Sequence, residues 1–288
     1  MKIIKYFCQF LIIIILFIIF KIIGYKISSN FGSFIGRVFG KFLKSDKIIH
    51  KNIDIMDQYL NLQNINKDKF TNEIFSNYGR ILSDYVFLNK FRNGSLKKYI
   101  NIVGINYLEE IRKNNKQVIF VSGHFNNFEL MPMFINSAGI KLSAIYRPLN
   151  NIFLNKVMEY LRINYICKNQ IKKGKGGTRE LINLIKKNYS VALMIDQRVS
   201  EGTKCNLFGK PAYTTTIPAQ IVKKYECEIV PVYIERYDKI KFNLTINKPI
   251  KFSKDLSIDD ITLELNKLLE NMIINNPTQW IFTHNRWK

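Results

Sequence analysis

The sequence has few histidines, few cysteines and few acidic residues. Three histidines are too few for a histidine-rich metal centre, and His50 and His284, with no partner nearby in the sequence, are expected to be structural or exposed. The four cysteines lie far apart without a C-x-x-C pair, which argues against a disulfide scaffold and a structural zinc site. The chain also lacks a G-x-x-x-x-G-K-[ST] phosphate loop and a G-x-S-x-G nucleophile elbow. We therefore expect no metal and no cofactor.

Basic residues greatly outnumber acidic ones in this chain. The 288 residues include 44 Lys+Arg and 22 Asp+Glu, for a formal net charge of +22. Hydrophobic residues make up 47% of the chain, which is enough to form a core and argues against intrinsic disorder. A positive net charge of this size favours binding to nucleic acid, to an anionic membrane or to an acidic partner. Because the lysines are dispersed and no nucleic-acid-binding module is recognisable, we expect no nucleic acid partner.

The N-terminal residues 3–25 form the most apolar stretch of the sequence. With the lysines at both ends extending towards water, this stretch reaches the ~20 residues that a bilayer requires. No small-x-small cleavage site follows, which favours a retained anchor over a cleaved signal peptide. More basic residues follow the stretch than precede it, which places the rest of the chain in the cytoplasm. The sequence thus predicts a single-pass anchor at residues 1–26 and a cytoplasmic domain at 27–288.

The first part of that domain, residues 27–95, has helical apolar spacing. Gly32, Gly36 and Gly40 recur at every fourth position, a pattern that suits an interfacial helix, close packing of two helices or ordinary core packing. Beyond this part, short apolar runs alternate with helical segments. The predicted strands are 117–121, 142–146, 191–195, 229–234 and 240–246, and the helices between and after them are 126–137, 153–161, 179–187, 217–225 and 258–271. This alternation predicts an α/β domain with a mixed, largely parallel sheet flanked by helices.

A histidine and a glutamate follow the first of these strands, where active sites of such sheets gather. Gly123 permits a tight turn, His124 comes next, and Glu129 lies five positions later on the predicted helix. We expect the Glu129 carboxylate to hydrogen-bond one imidazole nitrogen and leave the other free as a base. Such a dyad suits deprotonation of a substrate hydroxyl. The spacing by itself also leaves a purely structural role for both residues open.

His-x4-Glu after an apolar strand resembles the signature of the late acyltransferases of lipid A biosynthesis, within the lysophospholipid acyltransferase superfamily. The resemblance extends in order over most of the chain. The matching segments are residues 123–129, Tyr146-Arg147-Pro148-Leu149 with Asn151, Lys175-Gly176-Gly177, Asp196-Gln197, residues 208–212 with Thr214-Thr215, Pro231-Val232 and residues 279–288. Three positions depart from the family pattern: Asn126 replaces the usual Gly, Phe128 the usual Trp, and Arg198 an acidic residue.

The resemblance implies a glycerolipid acyltransferase-like fold and a reaction at the inner membrane. The reaction is transfer of a fatty acyl chain from an acyl carrier protein thioester to a hydroxyl of a phosphorylated glucosamine disaccharide. His124 would be the base, Glu129 its orienting partner, and Arg147 a ligand of the oxyanion or of acceptor phosphate. The further candidates for binding the substrate or stabilising the oxyanion are Asn127, Asp196, Gln197, Arg198 and Lys175. We expect Asp196 to hold Arg147 or Arg198.

Other functions stay open at this point. Glu201-Gly202-Thr203-Lys204 resembles the phosphate-binding element of glycerolipid and lysophospholipid acyltransferases, although that branch favours Asp over Glu after His-x4. A different glycolipid could also be the acceptor. A basic, membrane-tethered binding protein without catalysis is disfavoured because no binding module is recognisable. The sequence leaves open the acyl chain length, the acceptor position, coenzyme A as donor and the oligomeric state.

Overall fold

The computed structural model describes residues 2–43, 46–62 and 65–288, without the side chains of Leu43 and Lys175. Its α-helices are α1 (Lys2–Ile23), α2 (Tyr25–Leu43), α3 (Asp46–Leu60), α4 (Lys67–Asp84), α5 (Leu88–Arg92), α6 (Ile105–Lys113), α7 (Leu130–Ser137), α8 (Ile152–Leu161), α9 (Lys175–Lys186), α10 (Ile217–Tyr225) and α11 (Ile258–Asn275). Its strands are β1 (Ile100–Val103), β2 (Val118–Ser122), β3 (Leu142–Tyr146), β4 (Asn169–Lys172), β5 (Ser190–Met194), β6 (Thr203–Leu207), β7 (Lys210–Thr214), β8 (Glu228–Tyr237) and β9 (Lys241–Ile246). A π-helical turn, Arg162–Ile166, extends α8.

Seven strands form one sheet in the order β1-β9-β8-β2-β5-β3-β4. Neighbouring strands are parallel except for the hairpin of β8 and β9. The predicted mixed, largely parallel sheet flanked by helices is therefore confirmed. The central strand β2 reads Val-Ile-Phe-Val-Ser and is buried throughout, as expected for a parallel strand covered on both faces. The strands β6 and β7 form a separate antiparallel hairpin.

The N-terminal helices pack against one another through glycine. Gly32 of α2 meets Gly79 of α4 so closely that a Cβ on either residue would overlap the carbonyl oxygen of the other. The glycine face of α2 therefore makes close helix–helix contact, one of the three arrangements that the sequence pattern suits. Its opposite face leaves Phe34, Val38 and Phe42 exposed.

Candidate active site

The strands β2 and β5 are parallel neighbours, so their carboxyl ends meet at one edge of the sheet. Ser122 is paired with Met194, and the backbone N–H of Ile195 donates to the carbonyl oxygen of Ser122 at 2.9 Å. His124 and Asp196 each lie two residues beyond this pair. The sheet register thus brings together two residues that are far apart in the sequence.

The His124 imidazole is held by Asp196, a fully buried carboxylate. His124 Nδ1 lies 2.7 Å from Asp196 Oδ1, while Asp196 Oδ2 accepts from the His124 backbone N–H at 2.7 Å and from Trp280 Nε1 at 2.9 Å. Burial acts to raise the pKa of Asp196, but the attraction of His124 and these hydrogen bonds outweigh it and lower that pKa below the usual range. The carboxylate is therefore ionised at neutral pH, and it fixes the proton of the imidazole on Nδ1.

The other ring nitrogen of His124, Nε2, is consequently the basic one. It makes no hydrogen bond to any residue in the described part of the chain, and the side chain is 19% exposed and lines a cavity of about 670 Å³. Phe128 packs edge-on against the imidazole with ring centroids 4.7 Å apart. This arrangement leaves Nε2 available to a hydroxyl in the cavity.

Glu129 does not have the contact that its spacing from His124 predicts. Its Oε1 accepts from Arg162 Nε at 2.8 Å and Nη2 at 2.5 Å, and from the Tyr85 hydroxyl at 3.3 Å. The helix predicted from residue 126 begins only at Leu130, because the segment before it bends at Asn126, where φ is +38°. The bend aims Glu129 at Arg162, and Asp196 takes the place beside His124 that we expect for Glu129. Both His124 and Glu129 still line the same cavity.

Arg162 is a site residue that no sequence motif indicates. Its side chain is 11% exposed and its guanidinium carbon lies 5.2 Å from the centroid of the Tyr146 ring. Burial opposes its charge, but the Glu129 carboxylate more than compensates and raises the pKa of Arg162. The sequence contains one indication that Arg162 points inward, its spacing of four residues from the apolar Met158. Met158 is buried in the structure, and Arg162 continues the same inward face of α8. An arginine on an inward face requires a buried partner.

The cavity combines a polar end with apolar walls. Its ionisable or amide-bearing lining residues include His124, Glu129, Arg147, Arg162, Gln197 and His284. The apolar lining includes Ile13 and Phe17 of α1 and Leu154, Val157 and Met158 of α8. Such a cavity can receive a polar head group together with part of an aliphatic chain.

The structure brings some of the other predicted site residues into this cavity and leaves others outside it. Arg147 and Gln197 line it, and the exposed Arg147 makes no hydrogen bond or ion pair with any residue that the structure describes. Asn127 is buried and donates to Asp84 Oδ2 at 3.1 Å, so it does not contact the cavity. Arg198 is also directed elsewhere, since its Nε donates to the carbonyl oxygen of Lys288 at 3.0 Å. Asp196 holds neither arginine, contrary to the expectation from sequence.

The side chain of Lys175 lies outside the described part of the structure, and the role predicted for it stays a prediction. Its backbone forms the first residue of α9.

A buried polar cluster fixes the turn that carries His124. Arg236 forms an ion pair with Asp84, and its Nε donates to Asn126 Oδ1 at 2.9 Å. The backbone N–H of Asn126 donates to the carbonyl oxygen of Gln279 at 2.8 Å. Asn tolerates positive φ better than most other non-glycine residues, which accounts for an asparagine at position 126.

His284 is a cavity residue, not an isolated structural or exposed histidine. Its Nε2 accepts from the backbone N–H of Arg198 at 2.9 Å. Burial is the main cause that lowers the pKa of His284 below its ordinary 6.5, which favours the neutral ring. The contact ties the C-terminal segment to the loop that carries Asp196.

The whole chain, residues 1–288, matches the model of a family described as bacterial lipid A biosynthesis acyltransferase. The chain is 25% identical to lipid A biosynthesis acyltransferase 2 of Shigella flexneri over 186 residues, which are 62% of this chain and 58% of that relative. It is 21% identical to the lipid A biosynthesis palmitoleoyltransferase of Escherichia coli (strain K12) over 269 residues, 92% of this chain and 86% of that relative.

Among solved structures, a 1-acyl-sn-glycerophosphate acyltransferase from Thermotoga maritima aligns with a TM-score of 0.41 and 13% identity, over 90% of this chain and 100% of that one. The chain spans 58% of the length of the Shigella relative and 86% of that of the Escherichia coli relative. Because the family model matches every residue from 1 to 288, the chain belongs to the bacterial lipid A biosynthesis acyltransferase family.

Proposed function

We propose that this chain transfers a fatty acyl chain from an acyl carrier protein thioester to a hydroxyl of a lipid A precursor, with His124 as general base. The observation that carries the proposal is the pairing of His124 with Asp196. An ionised, fully buried carboxylate fixes one imidazole nitrogen and leaves the other on the wall of a large cavity. Family membership supplies the class of reaction and of acceptor.

In this reaction, His124 Nε2 removes the proton of the acceptor hydroxyl as its oxygen attacks the thioester carbonyl carbon. The Asp196 carboxylate stabilises the imidazolium that results. Collapse of the tetrahedral intermediate breaks the carbon–sulfur bond and forms the new ester. The imidazolium returns its proton to the departing thiolate, so that His124 is neutral again and no protein nucleophile is consumed.

The negative charge of the tetrahedral intermediate requires donors on the cavity wall. Arg147, Arg162 and the Gln197 amide are the candidates, since all three line the cavity that His124 lines. Glu129 holds the Arg162 guanidinium in place through two hydrogen bonds. We therefore assign Glu129 to positioning Arg162, and Asp196 to positioning His124.

The charge of the chain supports a phosphorylated acceptor and an acidic carrier protein. The net charge is +22, and Arg147 is free of protein partners among the described residues. An acceptor phosphate could pair with Arg147 while an acyl chain occupies the apolar part of the cavity. We place the reaction at the cytoplasmic face of the inner membrane, to which the apolar helix α1 attaches the protein.

The glycerolipid alternative has less support from the structure. Its motif, residues 201–204, contributes no lining residue to the cavity of His124. Lys204 Nζ instead lies 5.3 Å from the centroid of the Tyr213 ring. A phosphate bound at Lys204 would thus not be held by the residues that line the cavity.

A purified preparation in detergent tests the proposal. The acceptors to compare are a phosphorylated, acylated glucosamine disaccharide and lysophosphatidic acid, each with acyl carrier protein and coenzyme A thioesters, and mass spectrometry reads the products. We expect one added acyl chain on the disaccharide, dependent on His124. Acylation of lysophosphatidic acid alone would support the glycerolipid alternative, and no acyl transfer to any acceptor would overturn the enzyme assignment.

A further inference from the structure

The C-terminal segment, residues 276–288, lies against the turn that carries His124. Trp280 forms an antiparallel β-bridge with Phe125, the residue after His124. The carbonyl oxygen of Gln279 accepts from the backbone N–H of the next residue of the turn at 2.8 Å. Two consecutive residues of the segment thus bond to the backbone that follows His124, and they hold this turn in place.

The side chain of Trp280 reaches the partner of His124, the Asp196 carboxylate. Its indole Nε1 donates to Asp196 Oδ2 at 2.9 Å, and the His124 backbone N–H donates to the same oxygen at 2.7 Å. With two N–H donors on Oδ2, Asp196 directs Oδ1 at the imidazole. Trp280 therefore contacts the turns of both residues, through its backbone on one side and its indole on the other.

Packing leaves the indole of Trp280 little freedom to move. The residue is buried, and its ring centroid lies 4.9 Å from that of Phe282 and 6.2 Å from that of Trp287, with the rings edge-on in both pairs. A rigid donor directed at one carboxylate oxygen restricts rotation of that carboxylate and needs no rearrangement during the reaction. Because Asp196 is ionised, the bond is also charge-assisted and stronger than one between neutral groups.

The acceptor of Trp280 distinguishes it from the other tryptophan of the chain. A buried indole N–H needs an acceptor in any fold, and a backbone carbonyl oxygen meets that need. Trp287 has such a partner, since its Nε1 donates to the carbonyl oxygen of Leu207 at 3.1 Å. Trp280 instead bonds to a carboxylate that is itself bonded to the imidazole. The two tryptophans thus offer a comparison of a structural indole donor with one coupled to the reactive pair.

We propose that Trp280 is a positioning residue for the reaction: its indole N–H aligns the Asp196 carboxylate with His124 Nδ1 and thereby holds Nε2 towards the cavity. The assignment rests on the proposed function, since it concerns the same base. The C-terminal segment, which includes cavity residues such as His284, then acts in catalysis as well as in forming the cavity wall.

The matched variants Trp280→Phe and Trp287→Phe test the proposal, since each keeps an aromatic ring and removes one indole donor. We expect kcat of Trp280→Phe to fall by about 10–100-fold, the range for a hydrogen bond to a charged group, with KM little changed. Trp287→Phe should keep the wild-type kcat. Turnover is measured per folded protein, with denaturant unfolding of both variants, so that a loss of folded protein does not count as a loss of rate. A kcat of Trp280→Phe equal to that of Trp287→Phe would overturn the proposal.

The pH profile separates positioning from a purely structural effect. Burial raises the pKa of Asp196, and the indole N–H is among the contacts that lower it again. Without this donor the pair of His124 and Asp196 should bind its proton more tightly, so the acidic limb of the kcat/KM profile should move to higher pH in Trp280→Phe but not in Trp287→Phe. The other ionisable groups around the pair are the same in both variants: Tyr78, Glu129, Arg147, Arg162, His284 and Arg286. An acidic limb that stays in place in Trp280→Phe would contradict the proposal.

A measurement without acyl transfer, and without a change at Trp280, tests the contact itself. Trp287→Phe leaves Trp280 as the single tryptophan of the chain, so isotopically labelled tryptophan gives one indole N–H resonance in detergent solution. We expect Asp196→Asn to move that resonance to higher field, because a neutral amide is a weaker acceptor than a carboxylate, and the exposed Asp255→Asn to leave it in place. An unchanged resonance in Asp196→Asn would overturn the proposal. Absence of acyl transfer by the wild type would instead overturn the proposed function, so the two failures are distinguishable.

Discussion

His124 and Asp196 each lie two residues beyond the carboxyl end of a strand, β2 and β5, which are parallel neighbours, and Asp196 Oδ1 is 2.7 Å from His124 Nδ1. Asp196→Asn should therefore lower kcat by about 10²–10⁴-fold, the range for loss of a properly oriented base, because the amide no longer imposes the Nδ1–H tautomer. Acyl transfer by the purified variant measures the effect. The exposed Asp255→Asn is the matched control and should retain full activity. Wild-type turnover in Asp196→Asn would exclude this carboxylate as the orienting partner.

Glu129 and Arg162 form a buried pair, so Glu129→Gln should lower stability in addition to releasing the guanidinium that Glu129 positions. An unpaired buried guanidinium typically costs about 3–5 kcal/mol in the free energy of unfolding. Replacing both residues, Glu129→Gln with Arg162→Met, should recover part of that loss. Denaturant unfolding in detergent measures four proteins: the wild type, the two single variants and the double variant. Additive losses in the double variant would show that the two residues are not coupled.

Asn126 combines positive φ with a hydrogen bond from Arg236. Asn126→Gly keeps the backbone conformation but loses the two hydrogen bonds that Asn126 Oδ1 accepts, from Arg236 Nε and from the backbone N–H of Asn127. Asn126→Ala loses the same two bonds and also opposes φ of +38°. We expect Ala to be less stable than Gly by about 1 kcal/mol, since the left-handed region costs about 1–2 kcal/mol for residues with a Cβ. Thermal unfolding of both variants measures the difference. Equal stability would show that the turn does not constrain residue 126.

The lowered pKa of His284 predicts how stability depends on pH. Below pH 6.5 the unfolded chain protonates this histidine, while the folded chain still resists protonation. The stability associated with neutral His284 is therefore present above pH 6.5, and it is lost as the pH falls through the folded-state pKa. The wild type should thus lose more stability than His284→Gln between pH 7.5 and a pH below 6.5. Unfolding free energies at several pH values measure this. Parallel curves for the two proteins would contradict the assignment of the shift.

Much of the fold could be predicted from sequence, because its apolar runs are distinct. The strand β3 and the helix α10 have the predicted bounds, and β2 and β5 differ from theirs by one residue at each end. The strands β1 and β4 were not expected, since each has only four residues and β4 reads Asn-Gln-Ile-Lys, without an apolar run. Hairpin β6–β7 was also missed, because its residues are largely polar.

The site was predicted less completely than the fold, for a physical reason. Spacing along the chain favours the local partner of His124, Glu129, whereas the observed partner Asp196 depends on which strands are neighbours and in what register. Similarly, Asn127 is turned from the cavity by Asp84, a residue of a separate helix. Such contacts between distant segments follow from packing, which the pattern of a single sequence does not specify.

We propose His124 as the base of an acyl transfer to a lipid A precursor. The most direct measurement is the turnover of purified His124→Ala with an acyl carrier protein thioester and the phosphorylated disaccharide, beside the wild type at equal concentration. We expect acyl transfer by the wild type, a loss of about 10²–10⁴-fold in the variant, and unchanged attachment of the variant to membranes. A variant as active as the wild type would contradict this proposal.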